Sequence, residues 1–281
     1  MGNINRLARY ENPKGLLNTT PKLKESYLDF LDRRQEGIKT NRSDDVFVAD
    51  AVMQDQFSRA FQQGVLNDLS KDNVFGKKYG ASAYSNKVAD LRKALNKLLT
   101  LDDDLDYIFR IAIHSIIVRP SKIVVGGLRF NSGSSSATVG TIWLSLHKKL
   151  PTIDLMELLV HEFTHNLLLL DEINTRHYNY DLIARKENFA RSAILRRSRP
   201  LDRVIHSIVV ATELVLARDK YLGHAKPPVI HRKTTELIAD TIAAIKSVRA
   251  LPNLEHLITP HLNQLVGKCY VACKGRQSIT A

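Results

Sequence analysis

The segment LMELLVHEFTHNLLLL, residues 155–170, constrains this chain more than any other. It is apolar almost throughout, yet it carries His161, Glu162 and His165 in the H-E-x-x-H spacing. On a helix, positions i and i+4 lie one above the other on a single face, with Cβ atoms about 5–6 Å apart. Two imidazoles so placed can hold one metal ion, and the glutamate beside them can handle a bound water as a catalytic base. With ten histidines in 281 residues, a chance match is expected only about 0.01 times. The apolar flanks predict a buried helix that holds the pair rigidly.

Two imidazoles need a third ligand. Three candidates follow the motif: His206 in RPLDRVIHSIVVATE, Glu213 two turns further along the same predicted helix, and Glu236 at the head of ELIAD. The E-x-x-x-D order of Glu236 and Asp240 resembles the third-ligand helix of thermolysin-like zinc peptidases. His147, His177, His224 and His231 border loops and read as surface or cap residues.

Around this motif the chain reads as α+β, mostly helical with a small sheet. Helical spacing of apolar residues covers 22–32, 45–68, 86–99 and 108–117, with the aspartates of LDDDLD at a helix start. Only Lys122–Phe130 and Thr138–Leu146 read as strands, joined through the Gly/Ser-rich NSGSSSA as a hairpin or two members of one sheet. Helical pattern returns over 152–170, 180–197, 201–220, 232–250 and 254–266, punctuated by Pro200, Pro252 and Pro260. Residues 1–104 form an N-terminal helical region and 105–281 the metal-binding region, expected to close into one compact unit.

Composition narrows the class. The chain is 44% hydrophobic and 25% charged, so it can bury a sizeable core and is neither disordered nor collagen-like. Its two cysteines, Cys269 and Cys273, are too few for a zinc ribbon and badly spaced for a disulfide, which points to a reducing compartment. The opening MGNINRLARYENPK has no apolar stretch, no run is long enough for a membrane span, and the expected location is cytoplasmic. The formal net charge of +12 is spread along the chain without an aromatic-interleaved basic block, so no specific nucleic-acid partner is expected.

Three stretches together, SGSSSATVGTIWLSL, ELLVHEFTHNLLLL and RSRPLDRVIHSIVVATELVLAR, resemble the HExxH-type peptide β-hydroxylases of ribosomal-peptide (RiPP) modification pathways. The residues that carry the resemblance are Gly140, Ile142 and Trp143 before the motif, and Arg199, Pro200, Asp202 and His206 after it, over roughly residues 105–220. The resemblance implies a zincin-like active-site helix and an Fe(II), 2-oxoglutarate-dependent dioxygenase acting on a side chain of a peptide, such as a ribosomal precursor. It implies His206 as third ligand and Arg199 as the partner of the keto-acid's distal carboxylate, since a guanidinium fork matches a carboxylate bidentately. Arg196, Arg197 and Arg203 stand nearby as alternatives. Two readings compete: a Zn(II) metallopeptidase with Glu162 as general base, and a metal-free module that only grips a peptide. In each, TVGTIWLSL is expected to offer a strand edge to an extended peptide.

Overall fold

The computed structural model describes residues 2–11, 19–35, 37–61, 74–123, 129–224 and 228–277. The chain is mostly helical with a small sheet, as expected of an α+β protein. It forms two compact units, Met1–Asn174 and Thr175–Ala281. The boundary therefore follows the motif helix, and the helices on either side of residue 104 belong to one unit.

The first unit opens with α1 (Gly2–Glu11), α2 (Thr20–Arg34) and α3 (Ala51–Ala60). α3 is shorter than the helix expected over 45–68. Asp50 caps it by accepting the Met53 N–H at 2.7 Å, and residues 62–68 lie outside the described residues. Val46 and Val48 are extended instead. Ile116 N–H donates to Val46 O at 2.6 Å, and Val48 N–H to Ile116 O at 3.0 Å. Next come α4 (Ala81–Leu99), starting earlier than expected directly after Gly80, and α5 (Asp103–Ala112). Asp102 accepts the Leu105 N–H at 2.9 Å, and Asp103, Asp104 and Asp106 occupy the first turn, so LDDDLD does open a helix.

α5 stops at Ala112, five residues short of the sequence reading, and β1 (Ser115–Val118) replaces its expected last turns. Every residue of β1 is buried. A short apolar run covered on both faces has no alternation to distinguish it from a helix, and the β-branched Ile116, Ile117 and Val118 suit a strand. β2 (Ser132–Gly133) and β3 (Thr141–Leu144) complete a sheet in the order β1-β3-β2, with β1 parallel and β2 antiparallel to β3. The second strand is thus supplied by the Gly/Ser-rich stretch. Of the strand expected over 122–130, residues 124–128 lie outside the described residues and the rest is irregular. β3 is the central strand of this sheet, paired with β1 over Thr141–Leu144 and with β2 at Trp143 and Leu144, so it is not the open edge strand expected of TVGTIWLSL. Trp143 anchors the core beneath it, with ring centroids 4.6 Å from Phe75 and its indole N–H donated to Arg119 O at 2.7 Å. α6 (Thr152–Asn174) ends the unit, packed against α1, α4, α5 and the sheet.

The second unit begins with a short α7 (Tyr180–Ile183) in place of the helix expected over 180–197. The rest of that stretch is a 3-10 turn and the hairpin of β4 (Ala190–Arg191) with β5 (Ser198–Arg199). Ser192 N–H donates to Arg197 O at 2.9 Å, and Arg196 takes a left-handed φ of 54° at the turn, which no helix accommodates. α8 (Leu201–Ala217), continued by a π-helical turn to Leu222, packs with α9 (Thr234–Arg249), the short α10 (Leu254–Leu257) follows, and α11 (Pro260–Gln277) covers both α8 and α9. No helix among the described residues is long and apolar enough to cross a membrane.

Candidate metal site

α6 buries nearly its whole circumference, including Leu155, Met156, Leu158, Leu159, Phe163, Leu168 and Leu170. Its half-buried stripe runs through His161, His165 and Leu169, at i, i+4 and i+8. The apolar sides bind the helix to its neighbours, and the two imidazoles stand along the remaining edge.

The ring centroids of His161 and His165 are 4.9 Å apart, and their Nε2 atoms face each other at 3.2 Å. Two nitrogens bound to one metal at about 2.0–2.2 Å, at angles between octahedral and tetrahedral, stand about 2.8–3.6 Å apart. The observed separation lies inside that interval, so the pair fits a divalent transition metal without moving.

Glu162 turns into the protein. It is 1% exposed. One oxygen lies 3.8 Å from His161 Nε2, and the other accepts the Ser134 hydroxyl at 2.6 Å. Burial pushes its pKa up to about 7, against the opposing hydrogen bonds of Ser132 and Ser134. A carboxyl so poised can hold or release a proton near neutral pH.

Asn166, the residue after the motif, is fully buried and clasps this arrangement. Its Oδ1 accepts the Gly140 N–H at 2.7 Å, and its Nδ2 donates to Glu162 O at 2.9 Å and Ser134 Oγ at 3.1 Å. Gly140 sits at φ 84°, where a Cβ would lie 2.6 Å from His114 Cδ2 and 2.9 Å from Ala112 O. Only glycine meets both demands. Sequence reading picked Gly140 through the family resemblance but missed Ser132, Ser134 and Asn166. Their one signal is a lone amide inside an apolar run and a serine cluster shortly before the motif strand.

The other sequence candidates belong to the second unit. His206 is half-buried on α8. Burial, then the charges of Arg203 and His177, lower its pKa to about 3, which keeps the imidazole neutral, as a metal ligand must be. Glu213 is exposed further along α8. Glu236 is engaged at the start of α9, accepting the Lys233 N–H at 3.2 Å and pairing with the Arg232 guanidinium. Asp240 pairs with the same Arg232 at 2.6 Å and with Arg191 at 3.4 Å, so the ELIAD stretch is tied into an ion-pair network with two arginines. Arg199 is half-buried on β5, Arg196 and Arg197 are exposed at the hairpin turn, and Arg203 lies 3.5 Å from Asp202. The structure thus brings His161, Glu162 and His165 together on one helix, and carries His206 and Arg199 on adjoining elements of the second unit.

No model of a known protein family matches this chain, and no curated protein does.

Proposed function

We propose that the chain is an Fe(II)- and 2-oxoglutarate-dependent hydroxylase of a peptide side chain, with His161, His165 and His206 as metal ligands and Arg199 as the keto-acid's anchor. The observation that carries the reading is the facing Nε2 pair at 3.2 Å. The Arg199-Pro200-to-His206 segment supports the remaining assignments through its likeness to the peptide β-hydroxylases. When bound, Fe(II) and 2-oxoglutarate would serve to activate O₂, the oxidant, with one oxygen atom going to the keto-acid as it is oxidised to succinate and CO₂ and the other to a substrate C–H bond. The chain's own part is to hold two imidazoles in register, fix the keto-acid by a guanidinium fork and keep Glu162 away from bulk water. The commitment of Glu236 to Lys233 and Arg232 favours His206 over it as third ligand.

A zinc peptidase is the second reading, and one observation favours it. Glu162, with a pKa near 7 and an oxygen 3.8 Å from His161 Nε2, is placed to accept a proton from an attacking water. Against it, both serines hold that carboxylate inward.

Anaerobic titration with Fe(II) and then 2-oxoglutarate tests the assignment. Keto-acid binding that requires Fe(II), is lost in His161→Ala and falls about 10- to 150-fold in Arg199→Gln supports it, from about 1.5–3 kcal/mol for a hydrogen bond to a charged group. Zinc-dependent peptide cleavage without oxygen or keto-acid, abolished by Glu162→Gln, overturns it in favour of the peptidase.

A further inference from the structure

One end of the first unit's sheet collects positive charge. Past β3 the chain turns through Leu146 at a left-handed φ of 45°, and then carries His147 and Lys148. Ser145 N–H donates to Asn131 O at 2.7 Å, which brings Arg129 alongside. Tyr79 OH donates to Ser145 O from the other side. Lys87 of α4 donates to Leu146 O at 2.6 Å, with its ammonium 4.8 Å above the Tyr79 ring. Lys87, Arg129, His147 and Lys148 therefore converge around one short stretch of chain.

Several cations of this unit meet carboxylates, as in Arg42–Asp32, Lys78–Asp55, Arg92–Asp45 and Arg119–Asp55. Among the described residues no carboxylate forms an ion pair with these four. Their crowding registers at His147, whose pKa is lowered first by burial and then by Arg129, Lys148 and Lys87. Its Nδ1 is buried and finds no hydrogen-bond partner.

The cluster also lies close to the motif. Asn131 directly precedes β2, and Ser134, just past β2, donates to Glu162. From Asn131 to Ser134 is about 10 Å of extended chain.

We propose that Lys87, Arg129, His147 and Lys148 form the docking surface for an acidic segment of the peptide substrate, three or four residues from the side chain presented at His161 and His165. The inference rests on the peptide-modifying reading above. A peptide fits better than a nucleic acid. The cations cover only a few residues' length, and the Tyr79 ring that could stack a base already lies beneath the Lys87 ammonium.

Binding of a fluorescein-labelled octaglutamate peptide, followed by anisotropy in the full chain, tests the proposal without metal or keto-acid. The comparison is between the Lys87→Gln/Arg129→Gln/Lys148→Gln variant and a charge-matched control, Lys22→Gln/Lys93→Gln/Lys97→Gln. The patch variant should weaken binding about tenfold and the control about twofold or less. The wild-type His147 pKa, read by NMR, should rise when the peptide binds. Equal weakening in both variants, an unmoved His147, or tighter binding of an octathymidylate than of octaglutamate would overturn it. Because the readout needs no turnover, loss of the hydroxylase reading and loss of the docking surface are separate outcomes.

Discussion

Two histidine environments of the first unit, at His114 and at His161 with His165, differ in what the imidazole nitrogens face. His114 is 2% exposed and bonded on both ring nitrogens. Nδ1 meets the Ser115 hydroxyl at 2.8 Å and the Asn41 N–H at 3.3 Å, and Nε2 meets Val139 O at 3.1 Å. Burial lowers its pKa to about 4, so it is a neutral strut. His161 and His165 instead turn their Nε2 atoms toward each other along the one half-open edge of α6. A buried histidine whose partners are backbone and hydroxyl groups serves the fold, whereas a facing pair at this spacing has the geometry for the metal-holding role proposed above. Partners and exposure differ together, His114 being enclosed and the pair lying on a half-buried edge.

The largest effect that tests this contrast is on metal binding. His161→Ala or His165→Ala should weaken Zn(II) binding by at least about three orders of magnitude while leaving the thermal midpoint close to wild type, because each removes a ligand from a half-buried edge. His114→Ala should do the opposite, costing about 3 kcal/mol through the polar groups it strands, with refolded protein still binding Zn(II). Calorimetric titration and thermal melts on the three variants check both halves. Similar Zn(II) affinity in wild type and His161→Ala would break the comparison.

The same two regions should respond to pH with opposite signs. His114 has a folded pKa of about 4 against 6.5 for the free group, so the unfolded chain protonates first. Its contribution is full above pH 6.5 and falls by about 3 kcal/mol as the pH drops through 4. Glu162 has a folded pKa of about 7 against 4.5, so its contribution is full below pH 4.5 and falls by about 3 kcal/mol as the pH rises through 7. Glu162→Gln should therefore stabilise the metal-free protein at pH 8 and remove the loss between pH 5 and 7.5, as denaturant melts across that range would show. An unchanged slope would mean that Glu162 is ionised in the fold at neutral pH.

A smaller effect joins the two environments. Gly140 touches His114 with its missing side chain and Asn166 with its N–H. Gly140→Ala should cost about 2 kcal/mol from the positive φ and the close approach together. Because Asn166 also holds Ser134 and Glu162, the variant should lower Zn(II) affinity modestly as well. A stability loss with unchanged affinity would show that the strut and the site are mechanically separate.

Much of the helical frame was legible in the chain, and the reasons are local. The spacing of His161 and His165 and the carboxylates of LDDDLD act within one or two turns, so each can be read from neighbours in sequence. Where the reading failed, the deciding partner was distant. Residues 115–118 are a strand because Val46, Val48 and β3 supply ladder partners on both sides. The helix expected over 180–197 is a hairpin because Ser192 bonds Arg197 across a left-handed turn.

The sequence by itself determined that two imidazoles and a carboxyl share one stretch of helix, since four residues of α-helix return a side chain to the same face whatever surrounds it. It also pointed to a mostly helical chain with a strand at Thr141–Leu144, through the periods of its apolar residues, but not to the β4-β5 hairpin. Only the tertiary structure decided what each group is for. Glu162 is lifted toward neutral pH because packing removes water from it by more than the hydrogen bonds of Ser132 and Ser134 can offset, and Glu236 is tied into a cap because Arg232 stands within reach. Protonation and pairing depend on which groups are close in space and how much water remains between them, and that is a property of the folded packing.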